Sequence, residues 1–186
     1  MARSEGFAVE EPVIEAIQGG DRYAFSEFMG RHSGWVRSVI YGVLGRGEAV
    51  EDVSQQVWLM VWQRIGKLQD TRRWRTWLYR TARNAAIDAG RDATRRRDRQ
   101  HKLAEQPVSV SSPGPERGLL AEEKHHEVLA AIGSLPAIYR EPFVMRHVNG
   151  WSYARIAEVM GMPMDSVETR LVRARRFLRA TLKDKA

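Results

Sequence analysis

The sequence predicts an all-α protein built from two small helical domains joined by a flexible linker. Three observations carry this reading. Ala, Leu, Arg and Glu dominate, and the β-branched alternation that makes strands is nearly missing. Apolar stripes at helical spacing can be traced in both halves of the chain. Between the halves, "RRRDRQHKLAEQPVSVSSPGPERG" passes from a basic run into Ser, Pro and Gly with no apolar period. The expected limits are a domain over 9–97, a linker over 98–117 and a second domain over 118–186. No internal repeat is present, and 186 residues with 43% hydrophobic content can bury one core or two small ones.

Composition narrows the function classes. The formal net charge of +7 suits a phosphate-rich partner. Cysteine is absent, which removes disulfides, thiolate metal sites and a cysteine nucleophile. No apolar run approaches membrane-spanning length, and "MARSEGFAVEEP" lacks a signal-peptide core. The expectation is a soluble cytoplasmic protein without membrane insertion. His125 and His126 are adjacent and cannot share a helix face, while His32, His101 and His147 are scattered. No phosphate-binding GxxxxGK[ST] loop, metal-ligand spacing or nucleophile motif occurs, so no catalytic residue, metal or cofactor is expected.

In chain order, Asp21 caps a long helix through Tyr23, Phe25, Phe28, Trp35, Val39 and Ile40. A second helix spans 48–65, with Val50, Val53, Val57, Met60 and Val61 as its core stripe. Trp58 and Trp62 lie off that stripe beside Glu51, Asp52, Gln55 and Leu59. Either a bundle neighbour covers them or they are held for a partner, as Trp bordered by polar residues is at binding hot spots. A third helix begins near Trp74, with Leu78, Ala82, Ala85 and Ala89 as a small-residue seam. Trp77, Arg80, Asn84, Asp88 and Arg91 form a separate stripe. Rings, cations and an amide so interleaved suit single-stranded nucleic acid, and Arg95, Arg96, Arg97 and Arg99 extend the basic track.

Beyond the linker, "WSYARIAEVMGMPMDSVETRL" reads as a short helix, a tight turn and a second helix. Ser152 is the N-cap, Ile156, Ala157 and Met160 the buried side, and Gly161 the stop, with Pro163 barring continuation. The last helix starts near Met164 or Asp165 and buries Val167, Leu171, Ala174, Leu178 and Leu182. Thr169, Arg173 and Arg176 point the other way, flanked by Asp165, Glu168, Val172 and Arg179. This is the face expected of a DNA-reading helix-turn-helix. Glu168 has two readings here: a capping box with Asp165, or an acceptor for a cytosine amino group in the major groove.

The order of "EDVSQQVWLMVW", "WRTWLYRTARNAAID" and "GWSYARIAEVMGMPMDSVETRLVRAR" resembles the extracytoplasmic-function sigma factors of the sigma-70 family, over about Val9 to Leu182. The resemblance implies a sigma-2-like domain that docks on polymerase and melts promoters, and a sigma-4-like helix-turn-helix domain. It implies a transcription initiation factor, not an enzyme. Its partners would be bacterial core RNA polymerase, promoter DNA and an anti-sigma factor. The polymerase contacts would be the clamp helices of the largest subunit and the flap of the second-largest. Asp52, Gln55, Gln56, Trp58, Leu59 and Trp62 match the clamp-docking segment. The loop Leu68, Gln69, Asp70, Thr71, Arg72, Arg73 and Asn84 match the pocket for a flipped −10 base; Trp74, Trp77, Arg80 and Arg91 lie along the melting region. Asp165, Ser166, Glu168, Thr169, Val172 and Arg173 match the −35 reading set, with Arg170 and Arg176 as phosphate contacts. The chain departs where the family carries Gly-Thr-Val-Lys-Ser-Arg: here Asp165 replaces the glycine and Glu168 the basic residue, so −35 base preferences do not carry over. The −10 loop also lacks a glycine. The competing class is a helix-turn-helix regulator acting without core polymerase, which co-purification with polymerase would separate.

Overall fold

A computed structural model describes residues 10–103 and 120–183, with side-chain surroundings through residue 100 and again from residue 127. Among the described residues there are helices and no strands: α1 Glu10–Gln18, α2 Arg22–Leu44, α3 Val50–Arg64, α4 Trp74–Leu103, α5 Leu120–Ser134, α6 Ala137–His147, α7 Tyr153–Met160 and α8 Met164–Lys183. Two 3-10 turns, Ile65–Lys67 and Thr71–Arg73, join α3 to α4. The start of the expected linker is helical, because α4 runs on to Leu103; the rest of it lies outside the described residues.

Local chemistry sets the boundaries. Asp21 accepts hydrogen bonds from the Tyr23 and Ala24 N–H groups at 2.8 and 3.0 Å, satisfying two of the unpaired donors at the start of α2. Gly45 ends α2 in the left-handed region at φ 71. Around α2 pack α1, α3 and α4, and their shared centre is aromatic: Phe28, Trp35, Trp58 and Trp74 are all buried. Within it, the His32 ring lies 3.2 Å from the buried Glu10 carboxylate, and burial pushes the imidazole below its ordinary value.

The two lobes are packed on each other, with α6 lying on α2 and α7 on α4. One continuous core runs through both, and the Trp35 and Trp151 rings meet across the boundary at 5.1 Å. Two adjacent residues of α6 make several of the polar contacts across that boundary, beside Tyr41 Oη donating to the Leu129 carbonyl at 3.0 Å. Arg140 donates from Nε to the Gly42 carbonyl (2.8 Å) and from Nη2 to that of Val43 (2.7 Å). Its Nη1 reaches the carbonyls of Gly133 and Leu135. A guanidinium here satisfies terminal carbonyls of α2 and sits at the negative end of its dipole. Space is tight: a Cβ at Gly45 would collide with the Arg140 guanidinium, and one at Gly133 would meet the Gly45 oxygen at 2.6 Å. Glu141, also buried, accepts from Tyr79 Oη at 2.7 Å and from Arg83 Nε and Nη2 at 2.8 and 3.2 Å, both residues of α4.

Candidate nucleic-acid and partner interfaces

The α7–α8 pair is held by its caps. Ser152 accepts from the Arg155 N–H at 3.2 Å, and Gly161 closes α7 at φ 66, its N–H donating to the Ala157 and Glu158 carbonyls. Ile156 and Ala157 are buried as expected, Val159 is buried beside them, and Met160 is only half-buried against the core. The Pro163 carbonyl accepts from the Ser166 and Val167 N–H groups at 3.1 and 3.3 Å, which puts Pro163 at the cap and starts α8 at Met164. Asp165 is therefore the second residue of the helix, not its N-cap. The capping-box explanation of Glu168 is corrected by this register.

On α8, Val167, Leu171 and Ala174 are buried, Leu178 is half-buried and Leu182 exposed, so the inward stripe fades toward the end. The opposite side stands open: Glu168, Thr169, Val172, Arg173 and Arg176 are exposed, Val172 at 53%. Among the described residues no acid comes within ion-pair distance of an α8 arginine; Arg173 reaches only the Tyr139 hydroxyl, at 3.5 Å. Asp165 is exposed and Ser166 half-buried at the head of the same face. Arg170 differs: it is half-buried and lines a groove of about 470 Å³ shared with Arg80, Arg83 and Asn84 of α4.

Helix α3 divides its candidate residues between two grooves. Gln55, Leu59 and Trp62 line one of about 690 Å³ against Phe25 and Met29 of α2. Leu59 is 63% exposed there, and the Trp62 ring lies half-buried with its centroid 5.0 Å from that of Phe25. Arg37 and Glu51, paired at 3.0 Å, form part of the rim. Asp52 and Gln56 line the other groove, about 720 Å³ between α3 and α4. Trp58 is a correction: it is 7% exposed, edge-on to Phe25 and Phe28 at 6.2 Å, and forms the floor beneath the first groove. Its offset from the valine stripe is filled by α2, the bundle neighbour.

Helix α4 holds a further correction. Trp74 is 2% exposed, with its ring 5.1 Å from Phe28 and 4.7 Å from His32, so it is a core residue and cannot meet a DNA strand. Trp77, Arg80, Asn84 and Asp88 do share one face, lining the α3–α4 groove with Asp52 and Gln56. Arg91 lies on the next groove along and pairs with Asp88 at 3.8 Å. The loop Leu68–Arg73 is shaped without glycine. Gln18 of α1 donates to the Ile65 and Leu68 carbonyls at 2.9 and 2.8 Å, and Asp70 caps the turn by accepting from the Arg72 N–H at 3.1 Å. Leu68 is half-buried and Gln69 exposed. Arg72 and Arg73 project into solvent, with Asp70 3.3 Å from Arg73. The loop and Asn84 are not brought together: ten helical residues separate Asn84 from the head of α4, about 15 Å of rise, and no loop residue lines the Asn84 groove. The sequence reading missed Tyr79 and Arg83. Burial, reinforced by the Glu141 carboxylate, pushes the Tyr79 phenol up, so it stays a donor; the Glu141 hydrogen bonds also push Arg83 up. Only the Arg80–Arg83 spacing, one turn apart, marked Arg83 in sequence.

Among the described residues no cluster of His, Asp and Glu is placed to hold a metal, and no helix is long and apolar enough to cross a membrane. The family models for Sigma-70 region 2 and Sigma-70, region 4 match residues 28–96 and 125–178, about two-thirds of the chain together. The chain is 27% identical over 181 residues to the ECF RNA polymerase sigma factor SigW of Bacillus subtilis, covering 92% of this chain and 95% of that one. It is 29% identical over 177 residues to the ECF RNA polymerase sigma-E factor of Escherichia coli K12, covering 89% and 90%. In fold it is similar to CnrH, solved in complex with the cytosolic domain of CnrY (TM-score 0.68, 22% identity, covering 95% and 99%). It is also similar to the sigma factor RpoE of Bartonella quintana, solved with the anti-sigma factor NepR (TM-score 0.61, 20% identity, covering 86% and 96%).

Proposed function

The chain belongs to the sigma-70 family as an RNA polymerase sigma factor of the extracytoplasmic-function type, and from that premise we propose how its faces divide the work. Residues 9–97 dock on core RNA polymerase and open the −10 region, 98–117 tether, and 118–186 read the −35 element and meet the flap. The reaction chemistry stays with the polymerase, in the cytoplasm.

Gln55, Leu59 and Trp62 present an apolar groove with a charged rim to the clamp helices, and Asp52 and Gln56 meet the same partner from the α3–α4 groove on the other side of α3. The same groove suits an amphipathic helix of an anti-sigma factor, whose occupancy would exclude the clamp. The separation of the −10 loop from Asn84 argues for two contacts along one strand in place of a single pocket. Arg72 and Arg73 hold phosphates at one end, while Trp77, Arg80 and Asn84 stack on and read an unpaired base in the α3–α4 groove, with Arg91 beyond. On α8, Glu168, Thr169, Val172 and Arg173 enter the major groove, with Asp165 and Ser166 at its edge and Arg170 and Arg176 on phosphates.

One observation carries this reading: α8 buries Val167, Leu171 and Ala174 and leaves its whole opposite face uncovered, cationic and unpaired by acids. The test is transcription in vitro with purified core polymerase, scored by sequencing start sites on genomic DNA. Initiation at sites sharing −35 and −10 sequences supports it; no start site dependent on the chain would sink it.

A further inference from the structure

We propose that Glu141 is an internal stand-in for a promoter phosphate: it occupies Arg83 and Tyr79 in the closed chain and surrenders them to the DNA strand when the lobes part. The inference rests on the promoter-opening reading above and adds to it Arg83 and Tyr79 as strand contacts and a carboxylate that masks them.

The geometry points this way on three counts. The Arg83 guanidinium meets Glu141 through two N–H groups, Nε to Oε2 and Nη2 to Oε1, the fork that fits a carboxylate and a phosphate alike. Tyr79 adds a third donor to the same carboxylate. A trio of donors converging on one anion is what a backbone phosphate would find there.

Next, Arg83 borders the groove that holds Arg80, Asn84 and Arg170. It is one turn along α4 from Arg80, which lines the strand's α3–α4 groove as well, yet its charge is cancelled by an acid from the other lobe. Arg140 fixes that acid's position, because its own hydrogen bonds clamp α6 to the C-terminal carbonyls of α2.

Finally, the closed chain cannot serve both promoter elements. The −35 and −10 elements lie about 25 base pairs apart, about 85 Å at 3.4 Å per base pair. A compact chain of 186 residues has a radius of gyration of about 16 Å, so its lobes are within about 40 Å of each other. Reading both elements pulls α6 off α2 and α4, which withdraws Glu141 and uncovers Arg83 and Tyr79. Strand binding and lobe separation then favour each other, as linkage requires.

The experiment uses the full chain without polymerase and a single-stranded DNA 20-mer of mixed sequence, since phosphate contacts ignore sequence. Glu141→Gln should bind it about five- to tenfold more tightly than wild type, and the plot of log affinity against log salt should steepen by about 0.7 for one added phosphate contact. Adding Arg83→Ala to Glu141→Gln should erase the gain. Should Glu141→Gln lose its cooperative melt, Glu141→Asp carries the test: the acid is kept but drawn back, and a smaller gain that also needs Arg83 is expected. No gain in the folded variant, or a gain that survives Arg83→Ala, overturns the masking. Normal start-site selection by wild type alongside that result would fail the masking alone; absent start-site selection fails the promoter reading itself.

Discussion

Helices α4 and α8 carry the same sequence signature, an arginine ladder beside an apolar stripe, and the fold treats them in opposite ways. α8 is covered from one side by α5, α6 and α7, and its ladder face is open to solvent apart from the Arg173 contact with the Tyr139 hydroxyl. α4 is packed by α2, α3 and α7. Its first turn is sunk in the aromatic core, its middle lines two grooves, and Arg83 is tied to the second lobe. The lesson is that periodicity assigns a face reliably where a helix has one packed side. Where neighbours pack on several sides, periodicity shows only that several faces exist, and the neighbours decide which of them is a site.

The sharpest test of that contrast compares aromatic truncations on α4. Trp74→Ala should cost about 3–5 kcal/mol of stability, the range for large-to-small changes in packed cores, read as the midpoint shift in urea unfolding. Trp77→Ala, half-buried on the groove side, should cost clearly less and instead weaken single-strand binding. Equal losses of stability at both positions would mean that α4 has no strand-facing side. A functional step comes next in size. Asn84→Ala should reduce open-complex formation about tenfold, in line with an amide–base contact of 1–3 kcal/mol, while binding of duplex −35 DNA stays unchanged. Matching losses in the two assays would remove Asn84 from the strand path.

How much was legible follows from the same contrast. The caps at Asp21, Ser152 and Gly161 are local chemistry, and the sequence carries it in the open. The exposed face of α8 was equally readable, because Val167, Leu171 and Ala174 fix its rotation. Trp58 was misread since an indole off the main stripe can be an anchor for a partner or a brick in the core, and Trp74, four residues before Leu78 on the core seam, was drawn onto the strand path by the family resemblance alone. Only the neighbours Phe25, Phe28 and His32 decide between these. The start of α8 was placed between Met164 and Asp165, and with Met164 as its first residue Asp165 lies inside the helix, which abolishes the capping box. Arg140 and Glu141 gave no signal at all, since a buried Arg–Glu dipeptide looks like a solvated one until Gly42, Tyr79 and Arg83 arrive from more than fifty residues away.

On α8 the predictions should separate DNA effects from stability effects, because Glu168 and Arg176 are exposed on the ladder face. Glu168→Lys should leave unfolding within about 0.5 kcal/mol of wild type, the usual range for exposed sites. It should change the preferred −35 bases, most strongly where a cytosine amino group is lost as a partner, with discrimination of about 1–3 kcal/mol at that base. A library selection on both proteins reads this. With the capping box excluded by helix register, an unchanged preference at every position would leave Glu168 without a role in reading and weaken the claim that the open face of α8 is a base-reading face.

The smallest expected effect is at Arg176, two turns down the ladder from Thr169 on the same exposed face. A guanidinium at that depth is placed to meet the phosphate backbone rather than base edges, which lie near the helix start in this motif. Phosphate contacts act through released counterions, so they carry no sequence information and fade as salt rises. Arg176→Ala should therefore weaken duplex binding by a similar factor at the best −35 site and at unrelated DNA. The slope of log affinity against log salt should fall by about one for the lost contact. The control is Arg170→Ala. Arg170 is half-buried against α4 in the closed chain, so its contact should register only after the lobes part, in the polymerase-bound state. If instead Arg170→Ala and Arg176→Ala lower the free chain's slope equally, the groove between α4 and α8 does not screen Arg170. The difference between the covered and the open helix would then be smaller than their packing implies.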